Sequence, residues 1–115
     1  MNDDSQASTF NRSRSVVFVV AAKIKAKHGA ADTLADMFRD MVVWVAGNEP
    51  ETVSFSCNRS TDDPDLFLFF ERYASKQAFR AHAASDRFLE LAASMQGLID
   101  GAIQIETYDE IAAKP

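Results

Sequence analysis

Hydrophobic positions change their period several times along the chain, and each change marks an element. Leu34, Met37, Phe38, Met41, Val42 and Val45 stand at i, i+3, i+4, i+7, i+8 and i+11, the apolar stripe of one amphipathic helix, with Asp32, Asp36, Arg39 and Asp40 on its wet side. The spacing predicts a helix from Ala30, which Gly47 stops and Pro50 forbids from continuing. Ahead of it, Val16 to Lys25 is rich in β-branched residues and leads to the turn signal His28-Gly29, the mark of a strand. After it, Thr52 to Asn58 alternates, with Val53, Phe55 and Cys57 on a dry face and Thr52, Ser54, Ser56 and Asn58 on a polar one.

The segment RSTDDPD, Arg59 to Asp65, is a turn-rich loop, and Leu66 to Tyr73 forms a hairpin strand with its predecessor. Ser75 can cap a helix starting at Lys76. Ser85 or Asp86 can cap a second piece carrying Phe88, Leu91, Ala92 and Met95, so the helix is expected to break near Ser85. Past Gly97 and Gly101, Ala102 to Tyr108 alternates as a last strand.

The order is βαββαβ, an α+β ferredoxin-like fold: a four-stranded antiparallel sheet with two helices on one face. Such a sheet ordinarily gives its other face to water. Here Leu66, Leu68 and Phe70 lie on one face of their strand and Phe67, Phe69 and Tyr73 on the other, and Val16 to Val20 is apolar on both. The expected cover for so large a patch is a second copy, packed sheet to sheet as a homodimer.

Composition narrows the class. The 115 residues suit one domain, taken as residues 15–110 between an N-terminal tail over 1–14 and a C-terminal tail over 111–115. MNDDSQASTFNRSR is polar and aperiodic, which reads as disorder. A net charge of −5 lacks the basic face that nucleic acid requires. Cys57 is the lone cysteine, so an intramolecular disulfide and a cysteine-rich zinc site are both excluded. Arg12 and Arg14 ahead of VVFVVAA resemble the front of a signal peptide, but the stretch is short and follows Asp3 and Asp4. No run reaches the roughly 20 apolar residues that span a bilayer. The expectation is a cytoplasmic protein with neither nucleic acid nor membrane as partner.

Several side chains can carry chemistry. His82 follows Phe79 by three residues and shares its helix face, either as a general base or as a core-edge histidine capping a carbonyl. Glu71 lies on the strand face of Phe67, Phe69 and Tyr73, either as a pocket acid or base or as the partner of an arginine from this chain or a second copy. Arg72 points to the other face, toward a second subunit. Tyr73 and Trp44 can line an aromatic pocket or pack in the core, and Phe55, Phe88, Leu91 and Met95 are core residues that can also line it. Cys57 reads as a small buried hydrophobe and His28 as a solvated turn residue. Asp62, Asp63 and Asp65 lack the EF-hand spacing, so no metal site is expected.

Three stretches, VVFVVAAKIKAKHG, NEPETVSFSCNRSTDDPDLFLFFERYASKQAFRAH and SDRFLEL, resemble the antibiotic biosynthesis monooxygenase family, including its quinol monooxygenase branch. The resemblance runs from about Val16 to Asp109. It implies a dimeric α/β barrel with an apolar pocket in each subunit, and oxidation by dioxygen with no cofactor. Many relatives read A-H-x-x-S-P-H-F where this chain has Ala81, His82, Ala83, Ala84, Ser85, Asp86, Arg87 and Phe88, so the second histidine is missing. That argues against the similar sugar-phosphate isomerases. Ala92 and Lys23 stand where the similar haem-degrading enzymes carry a ligating histidine and an asparagine, so haem is not expected. The implied activity is cofactor-independent oxidation of a quinol or phenol, with His82 assisting deprotonation and Trp44, Phe55, Glu71, Tyr73, Phe88 and Met95 binding substrate. A non-catalytic small-molecule-binding dimer, and a phospho-carbonyl isomerase that a pocket lined by arginines would favour, are the other readings.

Overall fold

A computed structural model describes residues 16–115; the tail expected over residues 1–14 lies outside the described residues. The elements follow in the order β1 (Phe18–Lys25), α1 (Ala31–Asn48), β2 (Thr52–Arg59), β3 (Leu66–Tyr73), α2 (Lys76–Ala84), α3 (Asp86–Met95) and β4 (Gln104–Asp109). The strands form one antiparallel sheet in the order β2-β3-β1-β4. This is the ferredoxin-like arrangement expected, with the second helical segment divided in two.

Ser85 makes that division. Its extended backbone ends α2, its hydroxyl donates to the His82 carbonyl at 2.8 Å, and the same oxygen accepts from the Phe88 N–H at 3.2 Å. One side chain thus satisfies a terminal carbonyl of one helix and a terminal N–H of the next. Ser75 begins α2 in the usual way, accepting from the Ala78 N–H at 3.0 Å.

The stripe of α1 packs where its period aims it. Leu34, Phe38, Met41 and Val45 are buried, and the Phe38 ring meets Phe67 and Phe69 edge-on at 5.2 and 4.9 Å between centroids. Partners across the sheet share a face, so Val20, Ala22 and Ile24 of β1 lie beside Glu71, Phe69 and Phe67 beneath the helices.

One expectation about β2 needs correction. Its register shifts between Thr52 and Ser54, so Val53 bulges out of the ladder and is 50% exposed instead of sharing the dry face of Phe55 and Cys57. The extra residue also reverses the parity before it. Thr52 pairs with Tyr73 and Phe55 with Glu71, so Thr52 joins the helix-covered face instead of the polar one.

The opposite sheet face carries Leu66, Leu68 and Phe70 as expected, with Phe70 41% and Tyr108 50% exposed. Arg72 lies on this face but does not reach outward. Its Nε and Nη2 donate to Glu110 of the same chain at 2.7 and 3.0 Å, and Val19, which pairs with Arg72, is buried. In the Arg59–Asp65 loop, Asp63 pairs with Lys25 at 2.5 Å and accepts from the Asp65 N–H at 3.0 Å.

Candidate functional site

A cavity of about 170 Å³ lies between the sheet and the helices. Its floor is Val20, Ala22, Ile24, Phe55, Phe69 and Glu71 from the strands. Its roof is Met41 of α1, Phe79, His82 and Ala83 of α2, and Phe88, Leu91 and Met95 of α3. Ile103 and Ile105 complete it, and Ile105 is 55% exposed, which places solvent contact on the β4 side. Every lining residue but Glu71 and His82 is apolar. Among the described residues none is an arginine, so the lining that would have favoured a phospho-carbonyl isomerase is not found there.

The cap at Ser75 phases α2 so that Phe79 and His82, three residues apart, both face the cavity. The break at Ser85 then redirects the chain, and Phe88 closes over the imidazole. The His82 ring is packed among Phe55, Tyr73 and Phe88, with centroids 5.2, 5.6 and 5.3 Å away. Its Nδ1 lies 2.9 Å from both carboxylate oxygens of Glu49. The side chains of this pair are 3% and 13% exposed. A carboxylate only accepts, so Nδ1 carries the hydrogen of this contact, and the neutral imidazole held this way has its lone pair on Nε2. Thr52, delivered by the β2 bulge, steadies the carboxylate by donating to Oε1 at 2.8 Å.

A second polar pair comes from β3. The Tyr73 hydroxyl donates to Glu71 Oε1 at 2.5 Å, and both residues are buried. Burial pushes the Glu71 carboxyl up to about 7, with the negative charge of Glu49 adding to the rise and the Tyr73 hydrogen bond opposing it. Burial, then the neighbouring Glu71, pushes the Tyr73 phenol well above its ordinary range, so it stays a donor.

Five of the residues expected in the site line the cavity together: Phe55, Glu71, His82, Phe88 and Met95. Tyr73 does not line it; fully buried, it acts on the cavity through Glu71 and through its ring against His82. Trp44 does not line it either. Lying off the main stripe of α1, it borders a surface groove beside Glu49 and the α1 terminus, which meets the cavity at His82. No arginine pairs with Glu71 among the described residues; a tyrosine takes that place. Cys57 is half-buried, and burial pushes its thiol up to about 11. His28 is exposed, and the described residues hold no group of three potential metal ligands.

The sequence reading missed Glu49 and Thr52. A signal existed for the first: Glu49 caps the C-terminus of α1, where the helix dipole disfavours an anion, and no basic residue sits in the last turn to offset it. A carboxylate retained against that field has another partner. Thr52 left no signal, because the bulge that turns it inward does not interrupt the alternation.

Residues 17–94 match the family described as antibiotic biosynthesis monooxygenase. No curated protein matches in sequence. Among solved structures, a Caulobacter crescentus protein assigned provisionally to the same group is 26% identical, with a TM-score of 0.80 over 90% of this chain and 99% of that one. A Pseudomonas aeruginosa protein, 21% identical, gives 0.77 over 86% and 98% of the two chains. A Nitrosomonas europaea protein with the same provisional assignment, 19% identical, gives 0.77 over 83% and 90%. The last two bear on fold alone, but the family match runs from β1 through α3, most of the chain and of the cavity lining: the chain belongs to the antibiotic biosynthesis monooxygenase family.

Proposed function

We propose that the protein oxidises a hydrophobic aromatic carrying an ionisable hydroxyl, a quinol or phenol, with dioxygen and without metal or flavin, and that it works as a homodimer through the open sheet face. The observation that carries this reading is the His82 imidazole, held by Glu49 at the wall of a cavity whose other lining residues, Glu71 apart, are apolar. Apolar walls favour a flat ring, and a single oriented imidazole offers a base for its hydroxyl proton.

In this reading Nε2 of His82 takes the hydroxyl proton, and Glu49 stabilises the imidazolium that results. The substrate anion passes one electron to dioxygen, and the two radicals join at a ring carbon that bears hydrogen, para or ortho to the oxygen. Protonation by His82 makes a hydroperoxide. Loss of water then leaves a quinone: one oxygen atom enters the product and the other departs as water. The protein supplies position and a dry, polarised surround while the substrate supplies the electrons.

Oxygen uptake over a panel of naphthols, hydroquinones and phenols tests this. We expect turnover of at least one member, unaffected by a chelator and lowered about a hundredfold or more by His82→Ala. Uptake no faster than buffer for every member would sink the reading. Thermal stabilisation by the same compounds without uptake would instead identify a binding module.

A further inference from the structure

We propose that Glu71, in its neutral form, is the proton donor of this cavity, held by Tyr73 and offered to an oxygen atom of the bound ligand. The inference deepens the reading above and rests on it for the chemical step, though not for binding. Glu71 lines the cavity, yet its carboxyl makes one hydrogen bond among the described residues, the one Oε1 accepts from Tyr73. No buried side-chain oxygen or nitrogen among the described residues lacks a partner, so Oε2 is not walled into protein. The opening left to it is the cavity. Because Oε1 already accepts from the tyrosine hydroxyl, the hydrogen of a neutral carboxyl belongs on Oε2 and faces the ligand.

The surroundings favour that state. Glu49, at the end of α1, contributes negative charge; Tyr73 of β3 donates a hydrogen bond; His82 of α2 faces the same space. The cavity-facing residues of β1, β2, β4 and α3 carry no charge. Arg72, next in sequence, lies on the opposite sheet face and is taken by Glu110. No cation among the described residues therefore pairs with the Glu71 carboxyl to hold it ionised.

Two sites of opposite character divide the work. His82 is the base for the substrate hydroxyl. As the hydroperoxide collapses, His82 takes the ring C–H proton, that bond's electrons become part of the new C=O, and the O–O bond breaks toward the distal oxygen. Glu71 gives its proton to that oxygen, which leaves as water. Proton return from His82 to Glu71 restores both groups. A ligand suited to the cavity carries at least one oxygen that can accept from Glu71.

Calorimetric titration with 1-tetralone, an aromatic ketone that can only accept, and tetralin, its oxygen-free counterpart, tests this from pH 5 to 9. At pH 5 the ketone is expected to bind more tightly than the hydrocarbon. Above about 7, where Glu71 ionises, its affinity is expected to fall by up to about tenfold per pH unit while tetralin binding stays level. Glu71→Gln should abolish the break. Tyr73→Phe, which removes a hydrogen bond that favours the ionised carboxyl, should move it to higher pH and decides the question even if the first variant does not fold. No advantage of ketone over hydrocarbon at pH 5, a level ketone profile in the wild type, a break that persists in Glu71→Gln or one that Tyr73→Phe leaves in place would each overturn the proposal. Absence of turnover across the whole panel of naphthols, hydroquinones and phenols would sink the oxidation reading alone, with the tetralone profile still judging Glu71.

Discussion

Nδ1 of His82 stands equidistant, at 2.9 Å, from the two carboxylate oxygens of Glu49, thirty-three residues earlier and at the C-terminal cap of a different helix. The contact joins the end of α1 to the last turn of α2, so one residue sets the tautomer of the other. Glu49→Gln keeps the shape but loses the charge that stabilises an imidazolium. It is expected to lower turnover by about tenfold or more, with a smaller effect on KM, because the loss falls on the protonated state of His82. Equal kcat values for wild type and variant on an oxidised aromatic would remove Glu49 from the mechanism.

Glu71 makes stability depend on pH. Its folded-state pKa is raised from 4.5 to about 7, so between those values the folded protein binds more protons than the unfolded chain. The stability this contributes is full below about pH 4.5 and is lost as pH rises through about 7. The displacement corresponds to about 3 kcal/mol. Melting curves should show Glu71→Gln gaining on the wild type by several degrees between pH 5 and pH 8; parallel curves would contradict the assignment.

Ser85 serves two helices, and its loss should be felt in both. Ser85→Ala removes the acceptor for the Phe88 N–H and the donor to the His82 carbonyl. A cost of about 1 kcal/mol is expected, which for a domain of this size lowers Tm by about 4–8 °C. Since the same turn sets the angle of Phe88 over His82, ligand affinity should weaken as well. A melting point within a degree of wild type would show that solvent replaces the hydroxyl without penalty.

The open sheet face is proposed to bury itself against a second copy. Sedimentation at micromolar concentration is expected to give a dimer for the wild type, and Phe70→Glu, placing a charge at a half-exposed position of that face, is expected to give a monomer. A wild-type monomer under those conditions would defeat the proposal.

The fold was legible because its period changes are sharp. The stripe from Leu34 to Val45 admits one secondary structure, the strict alternation of Ser54–Asn58 and the turn-rich loop after it mark Leu66–Tyr73 as the second strand of a hairpin, and Ser85 announced the helix break. The cavity was half legible. Residues that face inward from strongly periodic elements, among them Phe55, Glu71, His82 and Phe88, came together as their faces required. Trp44 went elsewhere because a position at the flank of a stripe does not fix which neighbour it meets. Glu49 and Thr52 escaped notice because their contacts depend on a helix terminus and a bulge, where the simple periods of 3.6 and 2 cease to apply.

The edge strand β4 has a mechanical consequence. All six of its residues are exposed, yet it is hydrogen-bonded to β1 along its length, and Ile105 on it forms the wall between cavity and solvent. A wall carried on a ladder strand shifts less than one carried on a loop. Ile105 is therefore carried on backbone that ladder hydrogen bonds hold in place, and among the described residues this side of the cavity keeps its outline without relying on a loop.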